Sequence, residues 1–222
     1  GTSGTLTTGD AFDCDVNGDG VYDPNTERFY YVSDYYNTST KSFEDDTAVL
    51  IYYNNVSAGK PSNNTTYAYD SSGENWHGPR TMLRQLPTTS QWSNVSLKNT
   101  TRTILNENGS NTTTGGTTPN SFSYSGYAAR FLTLQEIRKG TGINNMLTGE
   151  LDNFTYLLEN IKFSSDSIAV WAWWLENPIS SNYEHTWRVS GSYRNVNGTL
   201  VSNTVDSGVR PAIEVSKTNI DY

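Results

Sequence analysis

Residues 13–27 read DCDVNGDGVYDPNTE, with oxygen-bearing side chains at alternate positions. Asp15, Asn17, Asp19 and Asp23 stand at positions 1, 3, 5 and 9 of an Asp-x-Asn-x-Asp-Gly pattern, and Gly20 occupies the sixth. A hard cation such as Ca²⁺ is held by six to eight oxygens from a curved loop, and glycine permits the tight bend. The Val21 carbonyl would serve at the seventh position, Glu27 would close the cage, and Asp13 lies two residues upstream. The expected ion is structural, fixing an N-terminal loop with little apolar content. The twelfth position is Thr26 rather than Glu and no evident helix follows, so an ion-free Asp/Asn/Gly turn stays open as the alternative.

Catalytic chemistry has few candidates. The only histidines are His77 and His185, and there is no Gly-x-Ser-x-Gly, His-Glu-x-x-His or phosphate-loop pattern. The single cysteine, Cys14, lies among carboxylates that disfavour a thiolate, and it allows neither an internal disulfide nor a cysteine-based metal site. A non-enzymatic role is expected. Arg210, held extended by Pro211, needs a carboxylate or backbone carbonyls if it is buried, and reads as structural.

These residues need a frame. The chain has 222 residues, 34% of them apolar, with 13% aromatic residues and a net charge of −8. That is too aromatic for disorder. No Lys/Arg run marks a nucleic-acid face, and no stretch of 18 apolar residues predicts a membrane span. The Tyr/Asn/Ser/Gly-rich, acidic surface fits protein recognition. Asn-x-Ser/Thr triplets at Asn37, Asn55, Asn64, Asn94, Asn153 and Asn197 are expected by chance in so Asn/Thr-rich a chain. The chain begins at Gly1, which leaves room for a removed leader or anchor.

Residues 1–9 read as a flexible lead-in and 10–222 as one domain. Strands are predicted at 28–36 and 47–53, and a short helix over 77–86. The stretch 106–121 reads as a long loop. A strand end leads into a helix at 128–140, with Thr133 and Glu136 forming a capping box, Lys139 in the last turn and Gly140 just past it. Leu151, Phe154, Leu157, Leu158 and Ile161 predict a second helix over 147–161. A Trp-rich strand at 168–175, a hairpin around 186–203 and a last strand at 208–216 follow, and the two chain ends are candidates to pair as neighbouring strands. Alternation puts Trp171 and Trp173 on one face of their strand and Trp174 on the other. The element order suggests α+β, with helices on a small, twisted antiparallel sheet.

Three segments carry a family resemblance: YAARFLTLQEIRKG, VWAWWLENP and SGVRPAIEV. Together they resemble the C-type-lectin-fold domains related to formylglycine-generating enzyme, in particular the variable proteins of diversity-generating retroelements. The resemblance spans about residues 122–216. It implies a C-type-lectin-like fold with two main helices and long loops, and a diversifiable receptor-binding surface at about 176–203. Carried over, Trp171, Trp173, Trp174 and Arg210 would be scaffold. Asn182, Tyr183, Glu184, His185, Trp187, Arg188, Tyr193, Arg194 and Asn195 would be ligand contacts. The implied partner is a protein or glycan receptor, and the implied place is extracellular, on a cell or virion surface. The sugar-chelating triplets of the lectins are missing, since the order here is Glu176-Asn177-Pro178, and the cysteine pair of the oxidases is missing too. A pilin-like appendage subunit and a degenerate oxidase-related enzyme are the alternatives.

Overall fold

The computed structural model describes residues 4–111, 120–162 and 169–222. Its strands are β1 (Ala11–Asp13), β2 (Arg28–Asn37), β3 (Ser42–Tyr52), β4 (Val56–Ser57), β5 (Lys60–Pro61), β6 (Thr101–Thr103) and β7 (Ser121–Ser123), followed by helix α1 (Leu134–Thr141). Then come β8 (Ala172–Pro178), β9 (His185–Ser190), β10 (Asn195–Leu200), β11 (Ser207–Gly208) and β12 (Ala212–Ser216). One four-stranded sheet has the order β1-β2-β3-β12 and a second the order β10-β9-β8-β11, with β4-β5 and β6-β7 as small pairs.

β3 is one of the two inner strands of the first sheet, and its apolar run explains why. Ala48, Leu50 and Tyr52 join one core, with Phe29, Trp92, Trp174 and Ile213. Val49 and Ile51 face a second core, with Leu134, Ile137, Trp173, Leu175 and Val189. Successive side chains leave a strand on opposite faces, so a run that is apolar throughout suits a strand covered on both sides. The same alternation sends Trp174 and Trp173 of β8 into different cores.

The expected α+β fold with two main helices is overturned. The chain is mostly β, and α1 is the only α-helix among the described residues. The helix predicted over 147–161 is a series of turns containing one 3₁₀ turn, Thr155–Leu157. Met146, Gly149 and Asn160 have positive φ, and the Gly149 and Leu151 amides donate to Tyr193 O and Arg194 O at 2.9 and 3.0 Å. Those amides serve a neighbouring hairpin instead of their own i−4 carbonyls. The apolar spacing was a burial pattern, with Leu151, Leu157 and Ile161 all inside. The helix predicted over 77–86 is replaced by two 3₁₀ turns, Asn75–His77 and Met82–Gln85, because Gly78 between them has φ 77° and the Thr81 amide bonds Tyr69 O.

Helix α1 has the predicted start. Thr133 Oγ1 accepts the Glu136 amide, and Glu136 Oε1 accepts the Thr133 amide. It runs past Gly140 and closes at Gly142 in the left-handed region. Gly140 has another use: a β-carbon there would lie 2.2 Å from Val32 O, so its bareness lets α1 touch β2. The chain ends sit on opposite edges of the first sheet rather than as neighbouring strands, although the Gly4 amide donates to Tyr222 O. Gly9 N also bonds Tyr31 O. Residues 1–3 of the expected lead-in, residues 112–119 of the 106–121 loop and the first residue of the predicted Trp strand lie outside the described residues.

Three arginines are fully buried. Arg130 binds Glu136 through both terminal nitrogens at 2.8 and 2.6 Å, and Glu214 through Nε at 2.6 Å. Burial would push the Glu136 carboxyl up, but Arg130 outweighs it and holds the carboxyl below its ordinary range. Arg102 faces Glu176 at 3.3 Å and donates to Tyr36 O. Arg210 donates to the backbone oxygens of Tyr52, Tyr156 and Leu157 over the ring of Trp173. Burial brings its guanidinium down to about 10.

Candidate ligand-recognition site

β9 and β10 form the predicted hairpin, in register from Asn195 opposite Ser190 to Leu200 opposite His185. β8 lies on the other side of β9, with Ala172 opposite Ser190 and Trp174 opposite Arg188. The 191–194 turn therefore sits beside residue 171, where the Gly191 amide donates to Trp171 O at 2.8 Å. The 179–184 loop lies at the other end. β9 has 6 residues, which separates the two ends by roughly 20 Å. The expected contact residues thus divide into two groups.

At the turn end, Tyr193 is 55% exposed and Trp171 45%. Between them lies a cleft of about 430 Å³, which Arg188, Ser190, Ser192 and Asp206 also line. Arg188 is fixed by Asn197 Oδ1 at 2.9 Å, Asp206 Oδ1 at 2.8 Å and Ser207 Oγ at 3.0 Å. The turn is held from outside: Gly149 and Leu151 bond its carbonyls, Arg194 Nε meets Asp152 Oδ1 at 2.6 Å, and Asn195 Nδ2 donates to Met146 O at 3.0 Å. Arg194 takes φ 49°, a left-handed conformation that these outside bonds sustain.

At the loop end, Asn182, Glu184 and Tyr183 (51% exposed) face solvent. Buried Asn75 pins this loop. Its Nδ2 lies 3.2, 2.9 and 2.7 Å from the carbonyls of Ile179, Asn182 and His185, and its amide donates to Tyr183 O. Glu107 adds bonds to Ser180 N and to Trp187 Nε1, the latter at 3.3 Å.

Several expected roles change. Trp171, expected as scaffold, precedes β8 and stands half in solvent, its amide donating to Asp206 O. Asn195, expected as a contact, is buried and ties down the turn. Trp187 packs partly against the second core, half-buried His185 places its Nδ1 inside, and Arg188 is committed to three neighbours. Tyr183, Glu184, Asn182, Tyr193 and Arg194 remain outward. The sequence carries no signal for Ser192, Asp206 or Asn75. Asp206 reaches the cleft through the parallel pairing of β11 with β8, which no local pattern announces.

The acidic loop keeps the expected order of oxygens but turns them onto its own backbone. The Asp15 carboxylate accepts the amides of Gly18, Asp19 and Gly20 at 2.8, 3.0 and 2.9 Å. Asn17 accepts the Asp19 amide, Asp19 that of Val21 and Asp23 that of Asn25, while Glu27 accepts those of Val16 and Asp23. Among the described residues, no three His, Cys, Asp or Glu side chains gather to hold a metal ion. Burial, then Asp13 and Glu27, push the Cys14 thiol up to about 12. His77 Nδ1 faces both Asp70 Oδ2 (3.2 Å) and Ser72 Oγ (3.4 Å). A serine relay needs the two partners on different ring nitrogens, so these three do not form one.

Compared with protein-family profiles, curated proteins and solved structures, the chain shows no match. Among the described residues, no helix is long and apolar enough to cross a membrane.

Proposed function

We propose that the chain is a non-catalytic binding protein, exposed on a cell or virion surface, that recognises a protein or glycan receptor through the outer ends of its β8–β10 sheet. One observation carries this reading. Trp171 and Tyr193 stand half out of a concave, partly polar cleft whose backbone is fixed by bonds from other segments. Large exposed aromatics on a rigid support give contact area at low entropic cost.

Positions free to differ between variants are fewer than the resemblance implies. Asn195, Arg188, Trp187 and Arg194 have structural partners and His185 places its Nδ1 inside, which leaves Asn182, Tyr183, Glu184 and Tyr193 as the variable set. Diversification is checked on the flanking DNA: a reverse-transcriptase gene and a near-copy of the 3′ end differing at adenines belong to this reading.

The binding test compares wild type with a Trp171→Ala/Tyr193→Ala variant on an immobilised panel of cell-surface proteins and glycans. Retention of the wild type, its loss in the folded variant, and a cooperative melt for both are expected. Equal retention of the two, or no retention of the wild type on any member, refutes the proposal.

A further inference from the structure

Resting on that recognition reading, we infer that the Trp171–Tyr193 cleft takes a ring of an uncharged saccharide, without a metal ion. The chemistry of the lining selects this class. A sugar ring has an apolar C–H face and an edge of hydroxyls that both donate and accept. The cleft offers aromatic surface at Trp171 and Tyr193, and donors and acceptors at Arg188, Asp206, Ser190 and Ser192. Its volume, about 430 Å³, falls within the range of small-ligand sites.

Charge narrows the choice. Arg188 and Asp206 are paired at 2.8 Å, so the lining carries no net formal charge. An anionic ligand reaching Arg188 would meet Asp206, and a cationic ligand drawn to the aromatic faces would meet Arg188. A neutral hydroxylated ring bonds both groups without competing with their pair. The Arg188 Nη2 and Asp206 Oδ2 atoms have no hydrogen-bond partner among the described residues, so each retains capacity for such a ligand. Preorganisation comes from Asn197 and Ser207, which hold the guanidinium in place before any ligand arrives.

The test uses the full chain labelled with ¹⁵N at the tryptophan indoles, in excess chelator. The probes are glucose, galactose, mannose, N-acetylglucosamine and their disaccharides, with N-acetylneuraminic acid and glucosamine as charged comparisons. One indole N–H signal, identified by its absence in Trp171→Ala, is expected to shift saturably with at least one neutral probe. Trp171→Ala abolishes saturation transfer to that probe, and Tyr193→Ala weakens its binding at least tenfold. Asp206→Asn moves preference toward the anionic sugar, and Tyr22→Ala, on the exposed part of the acidic loop, changes nothing.

Circular dichroism confirms that each variant folds. No shift with any neutral probe, persistence of binding in Trp171→Ala, or tighter binding of a charged sugar by the wild type overturns the inference. If the immobilised panel still shows receptor retention that depends on Trp171 and Tyr193, only the saccharide assignment falls. If that retention fails too, the recognition reading falls with it.

Discussion

Exchanging Asn75 for aspartate changes one NH₂ group into an oxygen and almost nothing in shape. In the native protein that nitrogen lies 2.7–3.2 Å from three carbonyl oxygens of the 179–185 loop, and Asn75 is buried. Aspartate would set an anion against three acceptors. An unsatisfied buried partner costs about 1–3 kcal/mol, and more beside a charge, so Asn75→Asp should lose about 3–5 kcal/mol at pH 7. Asn75→Ala removes the donor without adding charge and should lose about 2 kcal/mol. The isosteric change is therefore the worse one.

Acidity separates the two variants further. Burial among acceptors raises the folded-state pKa of the new carboxyl above its unfolded value. Its penalty is then complete above the folded pKa and shrinks as pH falls toward the ordinary carboxylate value of about 4. The gap between Asn75→Asp and wild type should narrow with falling pH, while that of Asn75→Ala stays flat. Urea unfolding from pH 4 to 8 measures both, and amide exchange at 182–185 reports the freed loop. An Asn75→Asp protein as stable as wild type at pH 7 would refute the pinning role.

Gly140→Ala should destabilise by about 1–2 kcal/mol, although alanine in a helix ordinarily gains about 1 kcal/mol over glycine, because the new β-carbon meets Val32 O at 2.2 Å; an increased melting temperature would contradict the α1–β2 contact. Trp173→Ala should cost about 3–5 kcal/mol and Trp171→Ala roughly 1 kcal/mol, since the first is buried and donates to Leu157 O while the second is half exposed; equal losses would count against the placement of Trp171. Asp15→Ala should cost about 1–2 kcal/mol in the presence of chelator, where no ion contributes, through its three amide bonds; an unchanged unfolding midpoint would show that these bonds do not hold the loop. The Cys14 thiol, pushed up to about 12, should resist iodoacetamide at pH 8 until the protein is unfolded, and labelling at the rate of a free thiol would show that it is accessible and ionised.

What could be read in advance was local. The capping box of α1, the runs of β2 and β3, the hairpin and the opposite faces of Trp173 and Trp174 all follow from spacing over a few residues. The failures come from remote partners. Residues 147–161 have helical spacing, but the amides of Gly149 and Leu151 are claimed by residues 193–194. No local pattern marks Arg102 and Arg130 as buried, because Glu176, Glu136 and Glu214 arrive from separate elements. The resemblance implies one contact patch, whereas the extended strand between residues 185 and 190 divides it.

The Arg210 clamp bears on the order in which the chain can mature. Its acceptors belong to β3 and to the Tyr156–Leu157 turn, and β12 completes the sheet beside β3. A nascent polypeptide that has emerged only as far as residue 200 has those acceptors but lacks Arg210 and β12, and an open margin of β3 is a template for wrong pairing. Residues 207–216 thus act as a latch that closes after the strands they join, and a version lacking them should emerge as an aggregating species rather than a slightly weaker native fold.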